Sequence, residues 1–424
     1  MVCFGLCWCI YRDIQLEKQQ PGDLRNRVVG ARLQMDGHSP YFYNWQPADG
    51  LRYYDPQNFS ALPISNVTAT PLFHQLLYPI ANLPQRTISR LWLALQYLAF
   101  GFMIMLVWRM CPDRRTQWAV SLTAFLFLFT QAWTKHISQG QLYIFLALGT
   151  TAFYYFLTRS QTNFNSGLAG IVAACLLLVR PNMIVFLIPF ILLISNFSKK
   201  YLSVFFTSFA VIILLAFISG TSRVYWSDYR KSITEHIRIH QGAPKVHIAS
   251  ATDPQFQYWE GWDMNQVKID GESFNYPGNG ESGNIFVVVK EFFGIKLPLW
   301  LLNVSCIAVM FFILALVCKQ RFVKRSLDIH IVALTAFCLY MTSDIFSPVH
   351  RFTYNSVQWA FPLLLIASQP TSLYKRKFII GLITGLLLQS VPVKLLPMQL
   401  TIGEYLVYAC IIGILVTSKP LPKE

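Results

Sequence analysis

Apolar stretches recur along almost the whole chain, over 88–110, 118–133, 142–157, 167–179, 183–195, 202–219, 298–317, 328–343, 356–368, 378–391 and 400–417. In lipid every backbone N–H and C=O must be satisfied within the protein, so runs of this kind dictate helices. A spanning helix needs ~20 apolar residues. Several of these runs are shorter, and aromatic neighbours extend each of them. Only 13% of the 424 residues are charged, against about 25% in a soluble domain. A large soluble core is therefore excluded. The expected fold class is an all-α polytopic membrane protein, a bundle of about 11–12 transmembrane helices forming one domain over 1–424.

Numbering the span ends alternately sorts the charges. One side carries Arg109, Arg114 and Arg115; Arg159; Lys199 and Lys200; Lys319, Arg321, Lys324 and Arg325; Lys375, Arg376 and Lys377; and Lys419 with Lys423. Acids are few there, and short Lys/Arg-rich loops mark the cytoplasmic side. The other side then holds two long loops, 20–87 and 220–297, with short turns near Lys135, Arg180, Arg351 and Lys394. Both long loops are predicted to lie outside the cytoplasm or in a lumen, with a bacterial plasma membrane the expected setting. The net charge of +15 follows from this bias. It is not the basic stripe of a nucleic-acid-binding domain. Neither long loop contains a cysteine, so no disulfide framework is expected.

Val2 to Ile10 is apolar but reaches only about 15 Å as a helix, half a bilayer. It lacks the basic start of a signal peptide. A full helix is needed here to place residue 20 outside, so the first helix is expected to be truncated by a misassigned start.

Two stretches of the outer loops have helical period with a polar face. From Asp23, apolar residues recur at Leu24, Val28, Ala31 and Met35, with Arg25 and Arg32 off the stripe. From Trp226 they recur at Tyr229, Ile233 and Ile237, with Arg230, Lys231 and Glu235 facing away. Each reads as an interfacial helix lying flat on the membrane, or as one packed on the loop's own core.

Asp23 is an acid at the start of the first of these helices. Asp at that place is a favoured N-cap. Desolvated near the bilayer, above its free pKa of about 3.9, it is equally a candidate general base. Lys135-His136 before Ser138-Gln139-Gly140-Gln141, Arg180-Pro181-Asn182, and His350-Arg351 after Ser347-Pro348 bring cations to the same side. Each alone resembles a side chain snorkelling at a span end. Together they are candidate ligands for a lipid phosphate, to which arginine offers fixed donors. Tyr41, Tyr43, Trp45, Tyr53, Tyr54, Tyr258, Trp259 and Trp262 form either an interfacial belt or faces on which a sugar stacks. Gly278-Asn279-Gly280-Glu281-Ser282-Gly283 matches G-x-G-x-x-G, but no strand precedes it, so it is no dinucleotide site. No Asp-x-Asp pair occurs, which argues against a metal-bound nucleotide-sugar donor.

Asp23 followed by Gly30-Ala31-Arg32-Leu33, Gly37-x-x-Pro40-Tyr41, Thr70-Pro71-Leu72 and Pro79-x-x-x-Leu83-Pro84 resembles the N-terminal signature of glycosyltransferase family 87. Gly140-Gln141 opening a span, Gly167-Leu168-Ala169-Gly170, the Arg180-Pro181 break and Ser347-Pro348 before a late span also fit. The resemblance implies a GT-C type bundle with two structured extracytoplasmic loops. It implies a hexose, often mannose, taken from a polyprenyl-phosphate donor with inversion. It also implies an acid of the first outer loop as base, by position Asp23, with Arg180 and Arg351 as phosphate ligands. The chain departs from the family in carrying Arg180 where Lys is frequent. It also carries Gly283-Asn284-Ile285-Phe286 where many members have Gly-Asn-Gln-Ser.

The combined expectation is an enzyme, a polyprenyl-phosphate-sugar-dependent mannosyltransferase acting on a lipid or glycan acceptor within membrane lipid. Asp23 is its catalytic residue. Arg180, Arg351, His350, His136 and Lys135 are donor phosphate ligands. Gln141, Tyr41, Trp45, Tyr53, Trp259 and Trp262 meet the sugar or acceptor. Nothing calls for a metal or a cofactor. The rival class is a multi-spanning transporter or a lipid-linked-glycan flippase. Transporters place ionisable groups and helix breaks at mid-membrane, often in matched halves, whereas the charges here are expected at span ends. Among enzymes, the rival is a polymerase or ligase using a diphosphate-linked glycan.

Overall fold

The computed structural model describes residues 2–18, 21–41, 43, 47–50, 52–53, 69–240, 283–295, 297–324, 328–347, 351–391 and 396–417. Among them the regular elements are α-helices and short 3-10 segments. In chain order the first are α1 (Val2–Glu17), α2 (Gly22–Met35), α3 (Pro71–Ala81), α4 (Gln85–Trp108), α5 (Arg114–Phe127), α6 (Gln131–Gln139), α7 (Tyr143–Thr158), α8 (Asn163–Val179), the short α9 (Ile184–Leu187), α10 (Lys199–Phe217) and α11 (Gly220–His240). Helices Ile285–Phe293, Leu299–Lys324, Ile329–Ile345, Ala360–Ala367, Arg376–Ser390 and Gln399–Thr417 follow. The chain is an all-α polytopic membrane protein.

Four helices that start from the basic loops begin on side-chain caps. Asp113 accepts from the Thr116 N–H at 2.8 Å in a reciprocal capping box. Thr162 accepts from Asn165 N at 3.2 Å, Ser198 from Tyr201 N at 3.2 Å and Asp328 from His330 N at 2.9 Å. These caps satisfy N–H groups that lipid cannot. Helix Ile329–Ile345 is apolar all round and is enclosed on every side, each residue from His330 to Thr342 being buried, as an all-round apolar helix requires. It carries Asp344 at its far end.

Several segments depart from the sequence reading. Among the described residues, four helices are long and apolar enough to cross a membrane, Gln85–Trp108, Lys199–Phe217, Trp300–Lys319 and Gln399–Thr417, and α6 with α7, bent by 114°, makes a fifth candidate. The other apolar runs form shorter helices. The run 118–133 is divided, because Thr130 accepts from Trp133 N at 3.2 Å and starts α6 anew. The freed carbonyl of Leu128 takes a hydrogen bond from Arg12 at 3.0 Å. α1 extends past Ile10 to Glu17, because its charges find partners inside the bundle. Asp13, fully buried, accepts from Trp133 Nε1 and Tyr97 Oη, both at 2.7 Å, and from Arg12 Nε at 2.8 Å.

The segment 183–195 is another departure. Its second part, Ile188–Asn196, is a 3-10 stretch of nine residues. At ~2.0 Å rise per residue it reaches about 18 Å, where an α-helix at ~1.5 Å would reach about 13.5 Å. The tighter winding lets a short apolar run cover more of the bilayer.

α2 does not lie flat with one polar face outward. Arg25, expected off the stripe, is buried, and Met35, expected on it, is 39% exposed. α2 instead wedges between α3 and the α6–α7 turn, so residues on several of its faces are enclosed. The second amphipathic stretch lies on α11, where Tyr225 and Ser232 are buried while Arg230 and Lys231 face out.

Candidate active site

The N-cap of α2 is Pro21, with no side-chain cap bond, so Asp23 sits in the first turn without capping it. Its surroundings are set by Gly140, which ends α6 with φ +62°. A β-carbon on Gly140 would lie 2.7 Å from those of both Pro21 and Leu24. Glycine thus serves twice: it adopts the left-handed turn and lets the start of α2 close on it. That approach delivers Gln141 to Asp23. Gln141 Nε2 donates to Asp23 Oδ2. Arg27, one turn along α2, donates to Gln141 Oε1 at 2.6 Å and to the Gly140 carbonyl at 3.2 Å. Gln96 Nε2 donates to the Gln141 carbonyl at 3.0 Å from beneath. The carboxylate is therefore oriented by an amide that an arginine orients in turn.

Arg180 follows α8 and marks the opposing side. Its Nη2 donates to Asp344 Oδ1 at 2.5 Å and its Nε to Asn182 Oδ1 at 3.0 Å. Arg351 donates to the other oxygen of Asp344 at 2.7 Å and to Glu404 Oε1 at 2.6 Å. Trp359 Nε1 donates to Glu404 as well, at 2.5 Å. Two arginines and two carboxylates thus form a closed, charge-balanced chain. Such a group holds its geometry well, since removing one member strands the others. Arg351 is buried within it at 2% exposure, while Arg180 keeps 19%. Of the two, Arg180 is presented to the site and Arg351 fixes Asp344.

Gly283 locks this chain from the large loop. Its N–H donates to the Arg351 carbonyl at 3.1 Å. A β-carbon there would come 2.3 Å from the Arg351 guanidinium and 2.7 Å from the Glu404 carboxylate. Asn284 Nδ2 donates to the Ser347 carbonyl. The Gly-Asn pair that this chain keeps is the part that pins the Arg351 loop.

Tyr354 and Tyr143 stand between the two sides. Their rings stack at 5.7 Å, Phe352 backs Tyr354 at 5.2 Å, and the Arg180 guanidinium lies 4.8 Å over Tyr143. Burial pushes the Tyr354 hydroxyl well above the usual phenol range, Asp23 and Tyr143 push it further, and Arg27 and Arg180 pull it back. It therefore feels both sides at once. Tyr229 of α11 also faces Arg180; burial lifts its hydroxyl to about 12 and the arginine lowers it. The ring of Tyr41 lies 5.7 Å from that of Tyr229.

The structure brings Asp23, Gln141, Arg180, Arg351 and Tyr41 into one region and leaves others apart. His136 is fully buried, its ring 3.3 Å from the Gln96 amide beneath Gln141. Lys135 is half-buried on the same helix. Tyr53 belongs to a separate cluster, donating to Asp36 beside Arg52. Gln141, expected against the sugar, uses its amide on Asp23 and Arg27. Trp45, Trp259, Trp262 and His350 lie outside the described residues. Arg27, Asp344, Glu404, Tyr143 and Tyr354 were not foreseen. Glu404 carried a signal, being an acid within the apolar run 400–417, and Asp344 a weaker one, just past the end of the run 328–343; an ionisable side chain in such a place marks a functional or paired position.

Residues 68–265 match the family model of glycosyltransferase family 87, the family that the motifs resemble, and the match supports a glycosyltransferase. It covers α3 to α11 and begins beyond Asp23. No curated protein and no solved structure matches the chain.

Proposed function

We propose that this chain, carrying a family 87 glycosyltransferase match over residues 68–265, transfers a hexose, mannose first among them, from a polyprenyl-phosphate donor to an acceptor hydroxyl. The site faces the extracytoplasmic side of a bacterial plasma membrane. The acceptor oxygen attacks the anomeric carbon from the face opposite the phosphate, and the configuration inverts. Asp23 takes the hydroxyl proton as general base. The bond from the anomeric carbon to the phosphate oxygen breaks, its electron pair leaves with the phosphate, and Arg180 offsets the charge. The reading invokes no metal or organic cofactor.

One observation carries it: Gln141 holds the Asp23 carboxylate and is itself held by Arg27, and Tyr143, two residues on, lies 4.8 Å under the Arg180 guanidinium that Asp344 holds. An apolar groove of about 180 Å³, lined by Phe153, Ile184, Phe190 and Phe205 among others, starts about a turn beyond Arg180. It supports an isoprenoid carrier whose phosphate rests on that arginine.

Asp13 and Glu404 favour a second reading, since buried acids inside helices are common in ion-coupled transporters. Both are saturated by hydrogen bonds here, which supports a structural part for them. Purified protein in detergent, where no gradient exists, is expected to release mannose from polyprenyl-phosphate-mannose by hydrolysis, water supplying the attacking oxygen in place of the acceptor hydroxyl. Release no faster than from empty micelles overturns the transferase reading in favour of transport.

A further inference from the structure

In-line displacement sets the acceptor oxygen, the anomeric carbon and the phosphate oxygen on one line, with reacting atoms about 3–3.5 Å apart beforehand. Whatever lies between the base and the phosphate-binding arginine therefore flanks the anomeric carbon and its two ring neighbours, carbon 2 and the ring oxygen, and a donor there suits the 2-hydroxyl, since at the ring oxygen it would oppose the developing positive charge. In this chain the 3-10 segment Thr353–Trp359 packs on α6 and α7, whose turn carries Gln141 to Asp23, and Tyr143 bridges Tyr354 to Arg180, which puts Tyr354 in that place. Its ring faces are taken by Phe352 on one stack and Tyr143 on another, at 5.2 and 5.7 Å with interplanar angles of 24° and 21°. Arg180 extends the column over Tyr143 at 4.8 Å. Rings held in this way have little area to offer a sugar face. Their hydroxyl edges remain, and both tyrosines are only partly buried.

We propose that the Tyr354 hydroxyl is a sugar-binding and specificity-determining group that hydrogen-bonds the hexose hydroxyl on carbon 2. The inference rests on the transferase reading above. The stacked column fixes the direction of the phenol, and a fixed polar partner discriminates far better than an apolar wall. Mannose and glucose differ at that carbon alone, so this contact reads the difference. Charge develops on the ring in an oxocarbenium-like transition state, where hydrogen bonds at the 2-hydroxyl strengthen. The contact then acts on turnover more than on binding. A phenol with its ordinary pKa of about 10 is protonated at neutral pH, so the hydroxyl is available as a donor.

The test compares sugar release in detergent from a short-chain polyprenyl-phosphate-mannose and from its 2-deoxy analogue. Wild type, Tyr354→Phe and Asp23→Asn are measured with each donor. Tyr354→Phe keeps the ring and its stacking, so the fold is retained. Its kcat on the mannose donor is expected to fall about tenfold, the scale of one lost hydrogen bond, with KM little changed. The rate ratio between the two donors should collapse in that variant by about the same factor. Tyr354→Phe with the wild-type ratio, while Asp23→Asn is inactive on both donors, overturns the contact and leaves the transferase reading standing. Wild-type rates for Asp23→Asn on both donors overturn the reading on which the contact rests.

Discussion

Asp23, Gly140 and Arg351 each carry a separable consequence. Gly140 adopts a left-handed φ and touches two β-carbons of the α2 start. Gly140→Ala is expected to lose about 1–3 kcal/mol of stability and to lower turnover by moving Gln141. Thermal unfolding in detergent and the release assay check the two effects together; an unchanged melting temperature would contradict the close approach. Arg351 is nearly inaccessible and serves two carboxylates. Arg351→Ala leaves both of them buried and short of a partner, a change of about 3–5 kcal/mol. Adding Glu404→Gln to Arg351→Ala should recover part of that loss in a double-mutant cycle. A loss in the double variant equal to the sum of the two single losses would show that the pair does not interact.

At the scale of elements, sequence reading located most of the helices and singled out Asp23 as a candidate base. Gly140-Gln141 was legible as a small residue and an amide opening a span, and Asp23 as the acid of the first outer loop. Arg27 was not, because nothing local ties it to Gln141, which lies on another helix. Asp344 joins Arg180 across 164 positions, and such pairings exist only once helices pack. The division of 118–133 was hidden for a related reason: Thr130 looks like an ordinary residue in an apolar run until its cap bond is formed. α1 was read as ending at Ile10 because charges normally stop a span, whereas Asp13 is absorbed by Trp133 and Tyr97.

The turn after α2 belongs to this scale too. Hydrogen bonds from Arg52 hold the Asp36 carboxyl below its usual range against the opposing pull of burial, with Tyr53 helping. A depressed carboxylate stabilises the folded turn above its unfolded pKa, about 3.9. That contribution is lost as pH falls through the folded value. Protection of the His38 amide, which donates to the Leu33 carbonyl at 2.9 Å, should therefore hold at neutral pH and fall away in acid below about pH 4. Protection unchanged down to pH 2, or lost already at pH 6, would contradict the assignment.

For the whole molecule, the arrangement of basic loops predicts an orientation. Gly37 lies in an exposed turn next to α2, on the side predicted to be extracytoplasmic. Arg115 lies in the first turn of α5, on the side of the basic loops. In a background with the native cysteines replaced, a membrane-impermeant thiol reagent applied to intact cells should label Gly37→Cys and spare Arg115→Cys. The reverse pattern would invert the molecule and put the site on the cytoplasmic side. The family match over 68–265 holds Arg180 and Gln141 but neither Asp23 nor Asp344. The site is thus assembled from both ends of the chain around the matched segment.

The central proposal is that Asp23 removes the acceptor proton while Arg180 takes the phosphate. The most direct measurement is transfer from polyprenyl-phosphate-mannose by purified Asp23→Asn beside wild type. Both should show the same melting temperature, since asparagine preserves the shape and a contact to Gln141. The account predicts folded protein with transfer reduced by at least about a hundredfold, the range of a lost general base. Transfer at the wild-type rate by the folded variant contradicts it.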